Sequence, residues 1–298
     1  MTRGTSDGDR QNADDRRGED ADRRHDDRRD DRRDDGDRRD RDGRLHGETV
    51  ILTGASRGLG ASMATRFVRE GANVALSARG EPDLRAVAES VADAPGDTIV
   101  VPADVTDEAA VAALVEATVD AFGEVTGLVN NAGIGTLSLH DERRTVLETE
   151  PADWRRILEV NLTGAFLCVS HAVPELLDAG AGNVINVSSG LGRRAAPGWG
   201  PYVASKWGLE GFSRTLSDEI ADAGVNVNCL DPGGRVGTRF WDHLPEEERD
   251  DVLEPDVMDE AATRLLAQGP DGVTRESHPA AEWERRLDRD GSASDGSA

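Results

Sequence analysis

From Glu48 to Glu276 the chain alternates short, continuous apolar runs with longer segments of helical periodicity, and no other feature restricts its fold so strongly. The first run, ETVILTG (48–54), ends in a glycine. It is followed by LGASMATRFVREG (59–71), whose apolar residues recur at helical spacing up to Gly71. NVALSA (73–78) precedes a helix predicted over Asp83–Ala92, and TIVVPADV (98–105) precedes one over Glu108–Phe122, closed by Gly123. GLVNNAG (127–133), NVINVSS (183–189) and VNVNCLDPGG (225–234) read as the fourth, fifth and sixth strands, separated by helices over Pro151–Ala179 and Tyr202–Ala223. A weaker seventh strand falls at Gly272–Glu276. Strands that are apolar throughout belong to parallel sheets covered on both faces. Their regular alternation with helices implies right-handed crossovers in one doubly wound α/β domain, placed here at residues 45–290.

The two ends follow other rules. Residues 1–44 are Asp, Arg, Gly and a few polar residues with recurring DDRR blocks, and Met1, Ala13 and Ala21 are their only apolar members. Such a segment has nothing to bury against the entropy of ordering it, so it is expected to be disordered. Residues 291–298 read as a second disordered tip. The chain carries 59 acidic and 35 basic residues, a net charge of −24. The tail holds 16 of the acids and 14 arginines, so the excess acidity belongs to the domain. A polyanion gains nothing from displacing counterions on nucleic acid or from anionic lipid. No run of 18 apolar residues and no signal-peptide pattern is present, and a cytoplasmic protein without nucleic-acid or membrane partners is expected. Cys168 and Cys229 match no disulfide framework or metal spacing. The six histidines (His25, His46, His140, His171, His243, His278) form no HExxH, so no metal is expected. Ser189 does not lie in a GxSxG elbow, which argues against a hydrolase. A domain rich in carboxylates and nearly free of lysine suits concentrated salt, where screening relieves its self-repulsion.

Directly after the first strand stands TGASRGLG, with Gly54, Gly58 and Gly60 opening a helix. Small residues there let backbone N–H groups approach a pyrophosphate at the positive helix end. The pattern is neither a Walker A loop nor GxGxxG. An NAD-selective site places a carboxylate about twenty residues further on, for the ribose hydroxyls. That place holds Ala78, then Arg79, and the glycine loop itself carries Arg57. Two guanidiniums suit the 2′-phosphate of NADP(H), with NAD(H) as the alternative.

The chain contains one tyrosine and one lysine, Tyr202 and Lys206, four residues apart. On a helix they share a face. A phenol titrates near pH 10 and is a poor base at neutral pH. A neighbouring ammonium favours its ionised form, which makes the pair a plausible proton donor and acceptor between carbonyl and alcohol.

These motifs together resemble the short-chain dehydrogenase/reductase family over roughly residues 47–240. The resemblance is carried by TGASRGLG (53–60), ADV (103–105), NNAG (130–133), NLTG (161–164), INVSSG (185–190), YVASK (202–206) and DPGG (231–234). It implies a Rossmann-type domain with a seven-stranded parallel sheet and oxidoreduction with a nicotinamide cofactor. It makes Tyr202 the acid/base and Lys206 the residue that lowers its pKa and holds the nicotinamide ribose. Ser189 becomes the carbonyl-positioning serine, with Ser188 as the alternative register. Asn161 becomes the residue that kinks a helix and anchors a relay water. Cofactor contacts are implied for Gly54, Ser56, Arg57, Gly58, Leu59, Gly60, Arg79, Asp104, Val105, Asn130, Tyr202, Lys206 and Gly233. Asp104 would receive the adenine amino group. The family's usual assembly implies a homo-oligomer, a dimer or tetramer.

Three departures mark this chain within that pattern. PGGRVGT is one residue longer before its Thr than the common loop, which affects Val236 and Thr238. VTRES carries Arg275 where a glycine is usual, and DERR (141–144) lengthens the segment before Pro151. Trp199 and Trp207 flank the Tyr–Lys pair as pocket walls or packing residues, and RFWDHL around Trp241 reads as a lid helix. The expected activity is NADP(H)-dependent interconversion of a ketone or aldehyde and an alcohol on a small-molecule substrate. The alternative is a non-catalytic dinucleotide-binding sensor on the same fold.

Overall fold

The computed structural model describes residues 43–140, 142–238 and 252–294. The expected tail up to Asp42 and the RFWDHL segment lie outside them. Seven strands form one sheet: β1 (Thr49–Thr53), β2 (Asn73–Ala78), β3 (Thr98–Pro102), β4 (Gly127–Asn130), β5 (Gly182–Val187), β6 (Val225–Asp231) and β9 (Ser277–Pro279), in the order β3-β2-β1-β4-β5-β6-β9. Every pairing is parallel. The short strands β7 (Arg235–Val236) and β8 (Val252–Leu253) pair with each other. Helices connect the strands: α1 (Gly58–Arg69), α2 (Glu81–Ser90), α3 (Glu108–Phe122), α4 (Pro151–Leu158), α5 (Gly164–Ala179), α6 (Gly200–Glu219), α7 (Asp259–Leu266) and α8 (Ala280–Ser294).

The apolar runs are explained by two cores, one on each face. Val50 and Leu52 of β1 pack with Met63 and Phe67 of α1, Leu265 of α7 and Trp283 of α8. Ile51, between them, faces the other way onto Val111 and Leu114 of α3 and Val169 and Leu176 of α5. A strand buried on both sides reads as a near-continuous apolar run, and the polar side chains it does carry, such as Asn226 and Asn228 of β6, are hydrogen-bonded. The order reverses between β1 and β4, and open α/β sheets bind ligands at that crevice, beyond the carboxyl ends of the strands.

Besides shifts of a few residues at helix ends, as in α2 and α6, four differences from the sequence expectation have a physical reason. Gly43 and Arg44 belong to the domain and not to the tail. Arg44 donates to Glu70 Oε1 and Glu260 Oε1, each at 2.7 Å, and that pairing holds the Glu70 carboxyl down at about 2. At the other end α8 continues to Ser294, past the boundary set at residue 290 by composition. The segment Gly272–Glu276 is not itself a strand. At Val273 its backbone is bound by side chains, Asn228 Nδ2 donating to Val273 O (2.6 Å) and Gln268 Oε1 accepting from Val273 N (2.7 Å), and only the backbones of Arg275 and Glu276 bond to the backbone of β6 (2.8 Å each). Arg275 takes a left-handed φ of +69°, a conformation that favours glycine, and its guanidinium donates to Asp218 (2.6 Å). Regular pairing with β6 begins only at Ser277. Finally, the stretch Pro151–Ala179 is broken by a π turn over Glu159–Thr163, so the expected kink at Asn161 is a single wide turn. An 18-residue window of that stretch reaches a mean hydropathy of 1.3, but half of the window is buried in the protein, as in a core helix.

Candidate active site

The glycine turn between β1 and α1 is built from bare backbone. Gly54 and Gly58 take φ of +69° and +55°. A Cβ on Gly60 would stand 2.1 Å from the Gly54 carbonyl oxygen, so no other residue fits there without moving the chain. Asn131 bolts the turn to the neighbouring strand, donating from Nδ2 to the carbonyls of Thr53 (3.0 Å) and Gly54 (3.1 Å). The Thr53 hydroxyl accepts from the N–H groups of Asn131 and Ala132 (3.1 and 3.2 Å). No side chain caps α1, and its first N–H groups are therefore open to an anion. Ser56 and Leu59 lie partly buried in the same turn, while Arg57 and Arg79 are exposed and ion-paired to no group among the described residues. This bare cradle with two free guanidiniums fits a dinucleotide.

The remaining expected cofactor residues surround that turn. Asp104 is already engaged. Burial raises its carboxyl, but Thr106, through its N–H (3.0 Å) and hydroxyl (2.7 Å), and Arg156 (3.3 Å) outweigh this and hold it below the usual range. Val105 is buried against Gly164, where a Cβ would meet it at 2.7 Å. Asn130 is buried and donates to Asn186 Oδ1 (2.9 Å), while its own Oδ1 has no hydrogen-bond partner among the described residues. Gly233 takes φ of +78° and donates its N–H to Asp231 Oδ1 (2.9 Å). Thr238 packs on the glycine turn, since a Cβ on Gly58 would lie 2.8 Å from its Cγ2, and Val236 is buried in β7. The longer 231–238 loop thus still reaches the cradle.

The second half of the site is formed by the start of α6 and the end of β5. Tyr202 is half-buried and hydrogen-bonded to Ser189, whose Oγ also accepts from Leu191 N (3.2 Å). Burial pushes the phenol up to about 12, the Ser189 bond opposes this, and the charge on Asp231 adds to it. Lys206, one turn on, is fully enclosed. Its Nζ donates to Val187 O (2.7 Å) and lies 5.7 Å from the Tyr202 ring centre. Burial lowers this ammonium to about 8, while nearby Cys229 and Glu210 raise it. Burial is thus the largest influence on the phenol, while the Lys206 ammonium is turned to the carbonyl of Val187.

Asn161 sits at the π turn with its amide fully employed. Oδ1 accepts from Ile134 N (2.8 Å), and Nδ2 donates to Ile134 O (2.8 Å) and Ser205 Oγ (3.0 Å). Its side chain pins the NNAG segment to α6. Trp199 is buried edge-on to Tyr202, with ring centres 5.8 Å apart, and forms a small apolar wall with Leu137 and Leu191. Trp207, by contrast, is 53% exposed and no part of that wall. Arg143, from the DERR segment, lies over the outer face of Trp199 at 5.8 Å. Cys168 is core, its thiol pushed up to about 12 by burial. Sequence reasoning missed one cluster altogether, in which Arg193 bridges the buried carboxylates of Glu210 and Asp231. Glu210 stands four residues after Lys206 and Asp231 opens DPGG, so helical spacing and the motif itself were the available signals.

Comparison with known proteins decides the family. Residues 48–249 match the short chain dehydrogenase family. The chain belongs to the short-chain dehydrogenases/reductases. It is an NAD(P)-dependent oxidoreductase of the kind that acts on CH–OH and C=O groups. It is 34% identical over 207 residues to the 3-oxoacyl-[acyl-carrier-protein] reductase FabG of Staphylococcus aureus, covering 69% of this chain and 81% of that one. Among solved structures it resembles carveol dehydrogenase from Mycobacterium avium in complex with NAD. The TM-score is 0.73 at 26% identity, covering 80% of this chain and 97% of that one. It also resembles a metagenomic short-chain oxidoreductase in complex with NADP, with a TM-score of 0.68 at 29% identity over 80% and 98% of the two chains. The family uses either dinucleotide.

Proposed function

We propose that this enzyme interconverts a ketone or aldehyde and the corresponding alcohol with NADP(H), using Tyr202, Ser189, Lys206 and Asn161. The observation that carries this reading is the Ser189–Tyr202 hydrogen bond with the enclosed Lys206 one turn away. When bound, the nicotinamide supplies or takes up the hydride. Tyr202 gives its phenolic proton to the substrate oxygen in reduction and recovers it in oxidation. The Ser189 hydroxyl donates to the same oxygen and fixes its position. Lys206 brings a positive charge beside the phenol, and Asn161 holds the NNAG segment in place for both.

Arg57 and Arg79 favour the phosphorylated dinucleotide, because neither is neutralised within the described residues and no carboxylate stands at Ala78. Gly54, Ser56, Gly58, Leu59 and Gly60 would hold its pyrophosphate, and Asp104, Val105, Asn130 and Gly233 its remaining parts. The reading includes self-assembly as a dimer or tetramer. Phe166 is 49% exposed on α5 and stacks edge-on to Phe212 of α6 (6.3 Å), an apolar surface suited to a second copy. It also includes a cytoplasmic site of action in concentrated salt. The melting temperature is expected to rise from dilute buffer to multi-molar KCl, and equal values would contradict that part.

The test is consumption of NADPH and NADH over a panel of cyclic and linear ketones and aldehydes. NADPH is expected to be oxidised with the higher kcat/KM. NADPH binding without turnover on any carbonyl would favour a sensor, and a preference for NADH would overturn the role given to the arginines.

A further inference from the structure

Arg193 lies in the turn just after Ser189, and its guanidinium enters a nearly enclosed ionic cluster. The side chains of Glu210 on α6 and Asp231 at the end of β6 are each only 2% exposed. One guanidinium nitrogen of Arg193 donates to Glu210 Oε1 (2.9 Å) and to the Ser277 hydroxyl (2.6 Å); the other pairs with Asp231 Oδ2. Glu210 Oε1 also accepts from the hydroxyls of Ser188 (2.7 Å) and Ser277 (2.8 Å). Asp231 uses its other oxygen for the N–H of Gly233 (2.9 Å). Gly192 leaves the space for this, since a Cβ there would meet Ser188 Oγ at 2.8 Å and Glu210 Oε1 at 3.3 Å. The cluster therefore ties together the residue before Ser189, the helix that carries Tyr202 and Lys206, and the 231–234 turn.

Carboxylates removed from water are costly unless a cation meets them, and a hydrophobic packing of similar volume is often as stable. Stability alone does not explain why two are kept here. We propose that Arg193 is a positioning residue that clamps the Ser189 turn and the 231–234 turn around Tyr202 by bridging Glu210 and Asp231. The inference rests on Tyr202 being the acid/base.

The electrostatic consequences separate this role from a purely structural one. Ser189, from the turn after β5, hydrogen-bonds the phenol, and the charge on Asp231, from β6, acts on it. Lys206 shares its helix, and Glu210 acts on Lys206. Arg143 lies over the Trp199 ring at 5.8 Å. Among the described residues Arg193 is the one cation paired with both carboxylates; Arg214 meets Glu210 alone, at 3.2 Å.

The chain has one tyrosine, so near-ultraviolet phenolate absorbance reports Tyr202 with no substrate or cofactor present. Removing the cation leaves Asp231 uncompensated, and the titration of R193M is expected to move up by about one pH unit. R193K is expected to restore most of it. D231N removes the anion but keeps an acceptor for Gly233, and is expected to move the titration down by a similar amount. Tryptophan fluorescence, followed in parallel, identifies the range in which each variant is folded. Should R193M fail to fold, D231N decides, since an unmoved phenol in folded D231N would overturn the inference. So would folded R193M that titrates like the wild type. Turnover by the Tyr202→Phe variant is read separately: if Y202F stays active, the functional reading fails first, and opposite shifts in R193M and D231N would then report only a local field.

Discussion

The half of the site at the glycine turn and the half at Tyr202 are built in opposite ways. At the turn the chain leaves things out: side chains at Gly54, Gly58 and Gly60, a cap on α1, and partners for Arg57 and Arg79 among the described residues. At Tyr202 the chain encloses its polar groups and gives each a specific contact, through Ser189, Val187, Asn161 and the Arg193 cluster. A polyanionic ligand needs unpaired donors and close backbone approach, so the first half must stay open. A proton-transfer group needs a defined position and a controlled charge, so the second must be tied down. Changes in one half should therefore fail differently from changes in the other.

On the glycine side the largest effect is expected for Gly60→Ala. The added methyl meets the Gly54 carbonyl oxygen, and relieving that overlap costs about 1–3 kcal/mol of stability as the turn opens. Dinucleotide affinity, measured by calorimetry, should fall by roughly 100-fold or more, about 2.7 kcal/mol or beyond. Absorbance titration of Tyr202 should be unchanged, and a shifted phenol would show that the halves are not independent.

Arg79→Ala tests the openness of the first half more gently. Losing a charge-assisted bond to a phosphate costs about 1.5–3 kcal/mol, which corresponds to a KM for NADPH higher by about 10- to 100-fold. KM for NADH and the melting temperature should not move, because the side chain is exposed and holds no ion pair among the described residues. An equal loss for both dinucleotides would remove the argument for NADP(H).

Asp259 is the exception on the glycine side, and the smallest effect belongs to it. It is partly buried at the start of α7, and its Oδ2 accepts from Ser62 of α1 (2.8 Å). Burial raises its carboxyl to about 6, the Ser62 bond opposes this, and Asp256 adds to it. The folded form thus holds this proton more tightly than the unfolded chain, whose aspartates titrate near pH 4. The cost of ionising it is absent below about pH 4 and complete above about pH 6. Asp259→Asn should therefore stabilise the protein by about 1 kcal/mol at pH 8, after allowance for partial exposure, and by nothing at pH 4. Thermal melts at the two pH values should differ by about 2–4 °C in the size of the gain.

The contrast between the halves also explains what could be read in advance. Six strands and the glycine cradle were legible because they depend on local pattern, namely apolar runs such as that of β1 and glycines where a Cβ has no room. Tyr202 and Lys206 were legible through helical spacing and because each is the chain's single residue of its type. The Arg193–Glu210–Asp231 cluster was not. It joins residues 17 to 38 positions apart across a turn, a helix and a strand, and in a chain rich in Arg, Asp and Glu such pairs carry no local signal. The orientation of Lys206 was hidden for a related reason, since spacing shows that it is near Tyr202 but not that its Nζ is turned to Val187. The last strand was placed five residues early because Asn228 and Gln268 bind the backbone of the preceding segment, a side-chain effect invisible to periodicity.

The central claim is that Tyr202 transfers the proton. Tyr202→Phe keeps the ring that packs on Trp199 and deletes only the hydroxyl. The measurement is kcat for NADPH-dependent reduction of a carbonyl that the wild type accepts, together with NADPH affinity for the same protein. A loss of roughly 10²–10⁴-fold in kcat with unchanged affinity is predicted. A variant that binds NADPH and reduces the carbonyl at the wild-type rate would contradict it.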